Sequence, residues 1–239
     1  MVNGSWPAAV VFDFDGLLMD TESTSFESWR HEWEQWGLAL DPATFFAEHG
    51  GDITEQRYAE LAAAVGLAFD KDLSHSRRIA YRDGLHAGLD LLPGMRDWLR
   101  EAGQAGTRLA IASSSPRRWV TGHLGRVGAR PEFEVLACGD EVAAAKPAPD
   151  VYLLALDRLG LAGAEAVAVE DSAHGVAAAK TAGMRCIAIP NRFSPASRFA
   201  AADLVLDSAG QVSLSQALQG LPAARTEGQP PAGRQTPSR

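Results

Sequence analysis

The sequence predicts an α/β protein: a doubly wound parallel sheet that carries an inserted helical domain. Three observations predict it. Short apolar runs rich in valine, isoleucine, leucine and phenylalanine recur along the chain and read as buried strands. Helical patterns separate most of them, the alternation expected of a parallel sheet covered on both faces. One stretch, 20–86, breaks that alternation, with helical periodicity and no convincing strand.

The first strand is expected at 8–13 (AAVVFD), and further strands at 109–112, 135–138, 166–169, 186–189 and 204–206. Helical patterns fill 94–102, 116–125, 149–159 and 173–182. Within the insert, Phe26, Trp29, Trp33 and Trp36 are spaced by three and four residues, one face of a helix. That stripe reads as the insert's own core rather than as a platform for a ligand. Leu61, Ala64 and Val65 mark a second helix, ended by Gly66, and a third follows Asp70. The expected organisation is a core domain from 1–19 and 87–220, a helical domain at 20–86, and a disordered tail at 221–239. The tail holds four of the chain's 13 prolines and almost no large apolar side chain.

Composition limits the function. With 239 residues, 46% of them hydrophobic, the chain can bury a substantial core. No apolar run approaches the roughly 20 residues of a membrane helix. The N-terminus lacks a basic stretch followed by an apolar one. A cytoplasmic protein without a membrane partner is expected, as a monomer, with a dimer as the alternative. The two cysteines, Cys138 and Cys186, sit in apolar stretches and read as small core residues. A net charge of −8 disfavours nucleic acid as a partner. It also means that a phosphate-ester ligand needs positive charge supplied locally, which a bound metal would do.

Four segments carry the chemistry, and each follows an apolar strand. The first strand runs into Asp13-Phe14-Asp15-Gly16. Strand alternation puts both carboxylates on one side, and the glycine lets the chain turn beside them. Two carboxylates that close repel each other unless a cation relieves them, and a hard, oxygen-rich site suits Mg²⁺. Alone, the pattern is also that of a surface turn. The strand at 109–112 ends in Ser113-Ser114-Ser115-Pro116, where hydroxyls meet a helix start. This is a phosphate cradle or, by itself, an ordinary N-cap. Lys146-Pro147-Ala148-Pro149-Asp150 follows the third strand, with one of only three lysines in the chain. The fourth strand runs into Glu170-Asp171-Ser172, two adjacent acids that are costly after a buried strand unless paired or bound to a cation. A doubly wound sheet brings all four strand ends to one edge, where such folds bind ligands.

With these residues in place, the sequence resembles the haloacid dehalogenase-like hydrolase superfamily. It is most similar to the β-phosphoglucomutase-like branch, which includes CbbY-like phosphatases. The matching stretches are FDFDGLLMDTE, IASSS, KPAPDVY and VEDSAHGVAAAKTAGM, and the likeness extends from residue 8 to about 206. The resemblance implies a Rossmann-like core with a mobile helical cap and a Mg²⁺-dependent phosphatase that acts on a small phosphorylated metabolite, such as a sugar phosphate. It implies Asp13 as the nucleophile that forms an aspartyl-phosphate, and Asp15 as the general acid and then base. Ser113, Ser114 and Lys146 are the implied phosphate-binding groups. Asp13, Asp15 (through its backbone carbonyl), Glu170 and Asp171 are the implied metal ligands.

Rival readings differ in particular residues. Dehalogenases of the superfamily work without metal and lack an acid at the place of Asp15. Phosphonatases use a cap lysine, and the only lysine of the insert, Lys71, lies late in it. A phosphomutase shares every core motif but carries basic cap residues that hold a second phosphate. Here the corresponding loop, Glu48-His49-Gly50-Gly51-Asp52-Ile53, is not basic, and a histidine of those mutases is replaced near Ser25. Simple hydrolysis is therefore expected, with the mutase as the alternative. A non-catalytic phospho-ligand-binding regulator is the remote one, since it would be expected to have lost a motif residue. Ala145 stands where family members commonly have glycine. Substrate-facing candidates in the insert are Glu22, His49, Gly50, Asp52 and Arg57. His174 is expected on a helix surface, and Arg77 and Arg78 in exposed salt bridges.

Overall fold

A computed structural model of the chain describes residues 6–46 and 53–223. Six parallel strands form one sheet: β1 (Ala9–Phe12), β2 (Arg108–Ser113), β3 (Val135–Cys138), β4 (Ala166–Glu170), β5 (Arg185–Ala188) and β6 (Leu204–Val205). Their order across the sheet is β3-β2-β1-β4-β5-β6. The chain thus reverses its direction of travel beside β1, and ligand crevices form outside the carboxyl ends at such a switch point.

The two faces of the sheet are built from different residues. Val10, Phe12, Leu109, Ile111, Val167, Val169 and Ile187 point to one face. Against it pack α5 (Met95–Gln104), α6 (Arg117–Arg126) and α9 (Leu214–Gln219). Ala9, Val11, Ala110, Ala112, Ala166, Ala168 and Ala188 point to the other, under α7 (Asp150–Leu159) and α8 (Ala173–Thr181). This is strand alternation with small residues on one side, which lets α7 and α8 lie close to the sheet.

Among the described residues, four α-helices lie between β1 and α5: α1 (Thr21–Gln35), α2 (Pro42–Phe45), α3 (Thr54–Val65) and α4 (Lys71–Ala87). Asp20 caps α1 by accepting from Ser23 N, and Asp70 caps α4 by accepting from Leu73 N. These helices have an apolar cluster of their own, Phe26, Trp29, Phe45, Phe46 and Tyr58, with Trp33 packed against it. The two passages between this layer and the sheet lie side by side, joined by Leu92 N donating to Leu18 O at 2.8 Å. From the sheet side, Phe193 stacks on Phe46 with ring centroids 3.7 Å apart.

The ordered core runs further than the sequence suggests. Leu221, the first residue of the expected tail, is buried against the face that holds α9, and Arg185 donates to Pro222 O. Residues 224–239, and with them most of that tail, lie outside the described residues. So do the candidates His49, Gly50 and Asp52. No described helix is long and apolar enough to cross a membrane.

Candidate active site

The carboxyl ends of β1, β2 and β4 and the loop after β3 open into a cavity of about 710 Å³, roofed by α1, α2, α3 and α4. Asp13 follows β1 and is anchored by its N–H on Val169 O at 2.9 Å. Lys146 reaches the same point from the loop after β3, next to a cis Lys146–Pro147 bond. Its Nζ donates to Asp13 Oδ1 at 2.5 Å, Glu170 Oε1 at 2.6 Å and Ala112 O at 2.8 Å. All three donors of this ammonium are therefore used.

Glu170 is fully buried at the end of β4. Its Oε1 also accepts from Tyr152 Oη at 2.6 Å, and its Oε2 accepts from Asp171 N and from Ser172 N and Oγ. Its main office is to hold Lys146 and shape the turn into α8. Gly175 is required behind it, because a Cβ there would overlap the Glu170 carboxylate. Asp171 is also buried, and its Oδ2 accepts from Asn191 Nδ2 at 2.9 Å. Gly16 has φ +79°, and a Cβ there would run into Asp171 Oδ2, so the turn after Asp15 needs glycine on both counts.

Charge is out of balance at this point. Asp13, Glu170 and Asp171 are buried, and Lys146 is the one cation among them. Burial pushes Asp13 up to about 8 despite the pull of Lys146, with Glu170 and Asp15 adding to the rise. Burial, then Asp13 and Glu170, push Asp171 well above the carboxylate range. Burial would lower Lys146, but Asp13 and Glu170 outweigh it and hold the amine above its ordinary value. Asp13, Glu170 and Asp171 each offer an oxygen, all within 4.8 Å of one another. A hard divalent cation fits this donor set and would restore the balance.

Asp15 is held apart from that cluster. Its Oδ1 accepts from Thr21 Oγ1 at 2.8 Å and from Trp119 Nε1 at 2.9 Å. Its Oδ2 accepts from Ser115 Oγ at 2.6 Å and from Ser113 Oγ at 3.4 Å. Ser113 is fully buried as the last residue of β2, so its hydroxyl lies under Asp15, while Ser114 and Ser115 line the cavity. The helix start beyond them is partly occupied, since Arg117 N donates to Asp140 Oδ1.

The roof contributes Glu22, Arg57 and Trp29 to the lining. Burial and the nearby Asp15 charge push Glu22 up to about 7, against the pull of Arg57. Two expectations for α4 divide. Arg77 makes a salt bridge, but its partner Glu32 is fully buried, so the pair is not an exposed one. Arg78 pairs with no acid among the described residues. It is 4% exposed, donates to Tyr58 Oη and Ser28 Oγ, lies over Trp29, and lines the cavity. His174 is exposed, as expected, at the cavity mouth. Thr21, Trp119, Arg82, His86, Asn191 and Arg198 also line the cavity, though no pattern in the sequence singles them out. Of these, Thr21 alone lay inside a quoted motif.

The family model for haloacid dehalogenase-like hydrolases matches residues 10–189, three quarters of the chain and all four of these segments. The chain belongs to that family. CbbY of Rhodobacter capsulatus is 36% identical over 205 residues, 82% of this chain and 90% of that one. The phosphorylated carbohydrates phosphatase of Thermotoga maritima is 34% identical, over 75% of this chain and 83% of its own. CbbY of Rhodobacter sphaeroides has been solved with phosphate and, as a variant, with xylulose-(1,5)bisphosphate. It superposes at a TM-score of 0.70 with 32% identity, covering 90% of this chain and 99% of its own. This haloacid dehalogenase-like hydrolase falls in the CbbY-containing branch and is a phosphoric monoester hydrolase.

Proposed function

We propose that the enzyme hydrolyses a small sugar phosphate by transferring its phosphoryl group to Asp13. The observation that carries this reading is the convergence of Asp13, Lys146 and Asp171 at the floor of a closed-over cavity, with Asp15 beside them. A carboxylate oxygen of Asp13 attacks phosphorus while the bond to the sugar oxygen breaks. Asp15 gives that oxygen a proton. Asp15 then takes a proton from the water that attacks the aspartyl-phosphate, which frees phosphate and restores the Asp13 carboxylate. Lys146 offsets the repulsion between an anionic nucleophile and an anionic substrate. Ser114 and Ser115 offer hydroxyls to the phosphoryl oxygens.

Asp13 and Asp171, with the Asp15 carbonyl, would hold Mg²⁺, and Glu170 supports that group from behind. When bound, Mg²⁺ supplies charge that keeps Asp13 ionised and polarises the phosphoryl group. The helices α1–α4 act as the cap that excludes water and confers specificity. Arg78, a buried guanidinium with no carboxylate partner among the described residues, suits an anionic or hydroxyl-rich far end of the substrate. The phosphorylated carbohydrates accepted by one relative and the bisphosphate bound to another support that class.

The test is phosphate release from a panel of sugar phosphates and bisphosphates, with Asp13→Asn as the blank. Turnover is expected to stop with EDTA and return with Mg²⁺. Retained activity in Asp13→Asn would overturn the covalent route, and indifference to EDTA would remove the metal. Isomerised hexose phosphate in place of free phosphate would make the protein a mutase.

A further inference from the structure

We infer that Trp119 is a positioning residue for the reaction: its indole N–H determines which oxygen of Asp15 carries the catalytic proton. This rests on the reading of Asp15 as general acid. The geometry is specific. Trp119 stands in the first turn of α6 and its Nε1 donates to Asp15 Oδ1 at 2.9 Å. Thr21 Oγ1 donates to the same oxygen at 2.8 Å. An indole nitrogen is donor only, so it cannot reverse its role and accept a proton from Oδ1. The Thr21 hydroxyl could turn, but the indole holds Oδ1 as an acceptor in either state, so Oδ2, which meets hydroxyls alone, is the favoured seat of a proton on Asp15. The partners of Oδ2 are the hydroxyls of Ser115 and Ser113. Hydroxyls can turn from donor to acceptor, so they tolerate either state of that oxygen.

The ring itself is well fixed. It packs on His123 of the same helix at 4.2 Å and on His86 of α4 at 5.1 Å between centroids, and the Arg82 guanidinium lies 5.3 Å from its centre. An N–H on a clamped ring defines the orientation of its acceptor more sharply than a rotating hydroxyl does. The indole therefore orients Oδ2 by occupying Oδ1, and Asp15, Ser114, Ser115 and Trp119 all line the cavity.

The variant Trp119→Phe keeps an aromatic ring in the clamp and removes the N–H. A proton from Asp15 matters most when the leaving group is a poor one. An alkoxide needs it, whereas nitrophenolate leaves unaided. The comparison is therefore kcat/KM for p-nitrophenyl phosphate against kcat/KM for the best alkyl sugar phosphate of the panel. In Trp119→Phe the alkyl value is expected to fall about tenfold further than the nitrophenyl value, a part of the roughly 10²–10⁴-fold that a general acid supplies. An equal fall on both esters, or none on either, would overturn the inference, because a merely structural role moves both together. Independently of turnover, the indole N–H resonance that Trp119→Phe removes from a ¹⁵N-tryptophan spectrum should shift in Asp15→Asn, and a stationary resonance would also overturn it. Wild-type activity on p-nitrophenyl phosphate separates the two levels. Its absence defeats the phosphatase reading, while the resonance still reports on the bond.

Discussion

Replacing Glu22 by glutamine should make the folded protein more stable at alkaline pH, although it removes a charged residue from the cavity wall. Burial and the charge of Asp15 raise Glu22 to about 7 in the fold, against 4.5 for an unperturbed glutamate. Below pH 4.5 both folded and unfolded chains hold the proton, and the site contributes no difference. As pH rises from 4.5 towards 7, the unfolded chain releases the proton and the folded chain keeps it, so stability falls through that window. Above 7 the folded chain carries the whole penalty, about 3 kcal/mol at roughly 1.4 kcal/mol for each unit. Glutamine has nearly the same shape and no charge to desolvate.

The assay is urea or thermal unfolding of wild type and Glu22→Gln, in EDTA, at pH 4 and pH 8. The two proteins should coincide at pH 4. At pH 8 the variant should be more stable by about 3 kcal/mol, or roughly 6–12 °C in Tm for a chain of this length. Equal stability at both pH values would refute the argument, as would a variant less stable at pH 8. A gain in stability accompanied by a fall in kcat/KM would further mark Glu22 as a group kept for contact with substrate at the expense of the fold.

Lys146→Met should act in the opposite direction, since it strips the only ammonium from Asp13 and Glu170. Loss of one partner of a buried ion pair costs about 3–5 kcal/mol, read in the same unfolding assay at pH 8, and turnover should vanish with it. Gly16→Ala forces a side chain into a +79° φ and into Asp171 Oδ2. A loss of about 1–3 kcal/mol is expected from the strained backbone, together with weaker Mg²⁺ binding by calorimetry. Asp13→Asn should bind phosphate esters yet release no phosphate, checked by equilibrium binding alongside the turnover assay.

The sheet was legible because buried parallel strands are apolar on both faces and stand out from their surroundings. The run at 135–138 became β3 with the same ends, and the others moved by about a residue. The acids and the lysine were legible for a related reason. A charge directly after a buried strand is costly, so Asp13, Lys146, Glu170 and Asp171 advertise themselves, and the topology brings them together. Residues on the helices give no such signal. Arg77 and Arg78 are neighbours of the same type, yet one meets the buried carboxylate of Glu32 and the other lies over Trp29 and lines the cavity. Successive helical residues differ by a rotation that only the packing of α4 on α1 fixes. Trp119 was hidden likewise, since nothing in its neighbours indicates that its N–H meets Asp15 across about a hundred residues of chain. The serine run, expected to be a phosphate cradle at a helix start, does reach the cavity, which Ser114 and Ser115 line. Strand alternation carried on to Ser113, though, and took its hydroxyl under Asp15 rather than into the cavity.

The contrast between Glu22→Gln and Lys146→Met bears on what kind of place this is. Both replace a polar cavity residue by a neutral one of similar length. If the site were ordinary packed interior, loss of native contacts would destabilise both proteins. An excess of buried negative charge predicts opposite signs. Removing an anion relieves the excess, and removing the single buried ammonium deepens it. The same excess predicts that Mg²⁺ narrows both differences, since a bound cation supplies what Lys146 alone does not. On the proposed reading the site takes a cation, and the two variants measure from opposite sides how much charge that cation must supply.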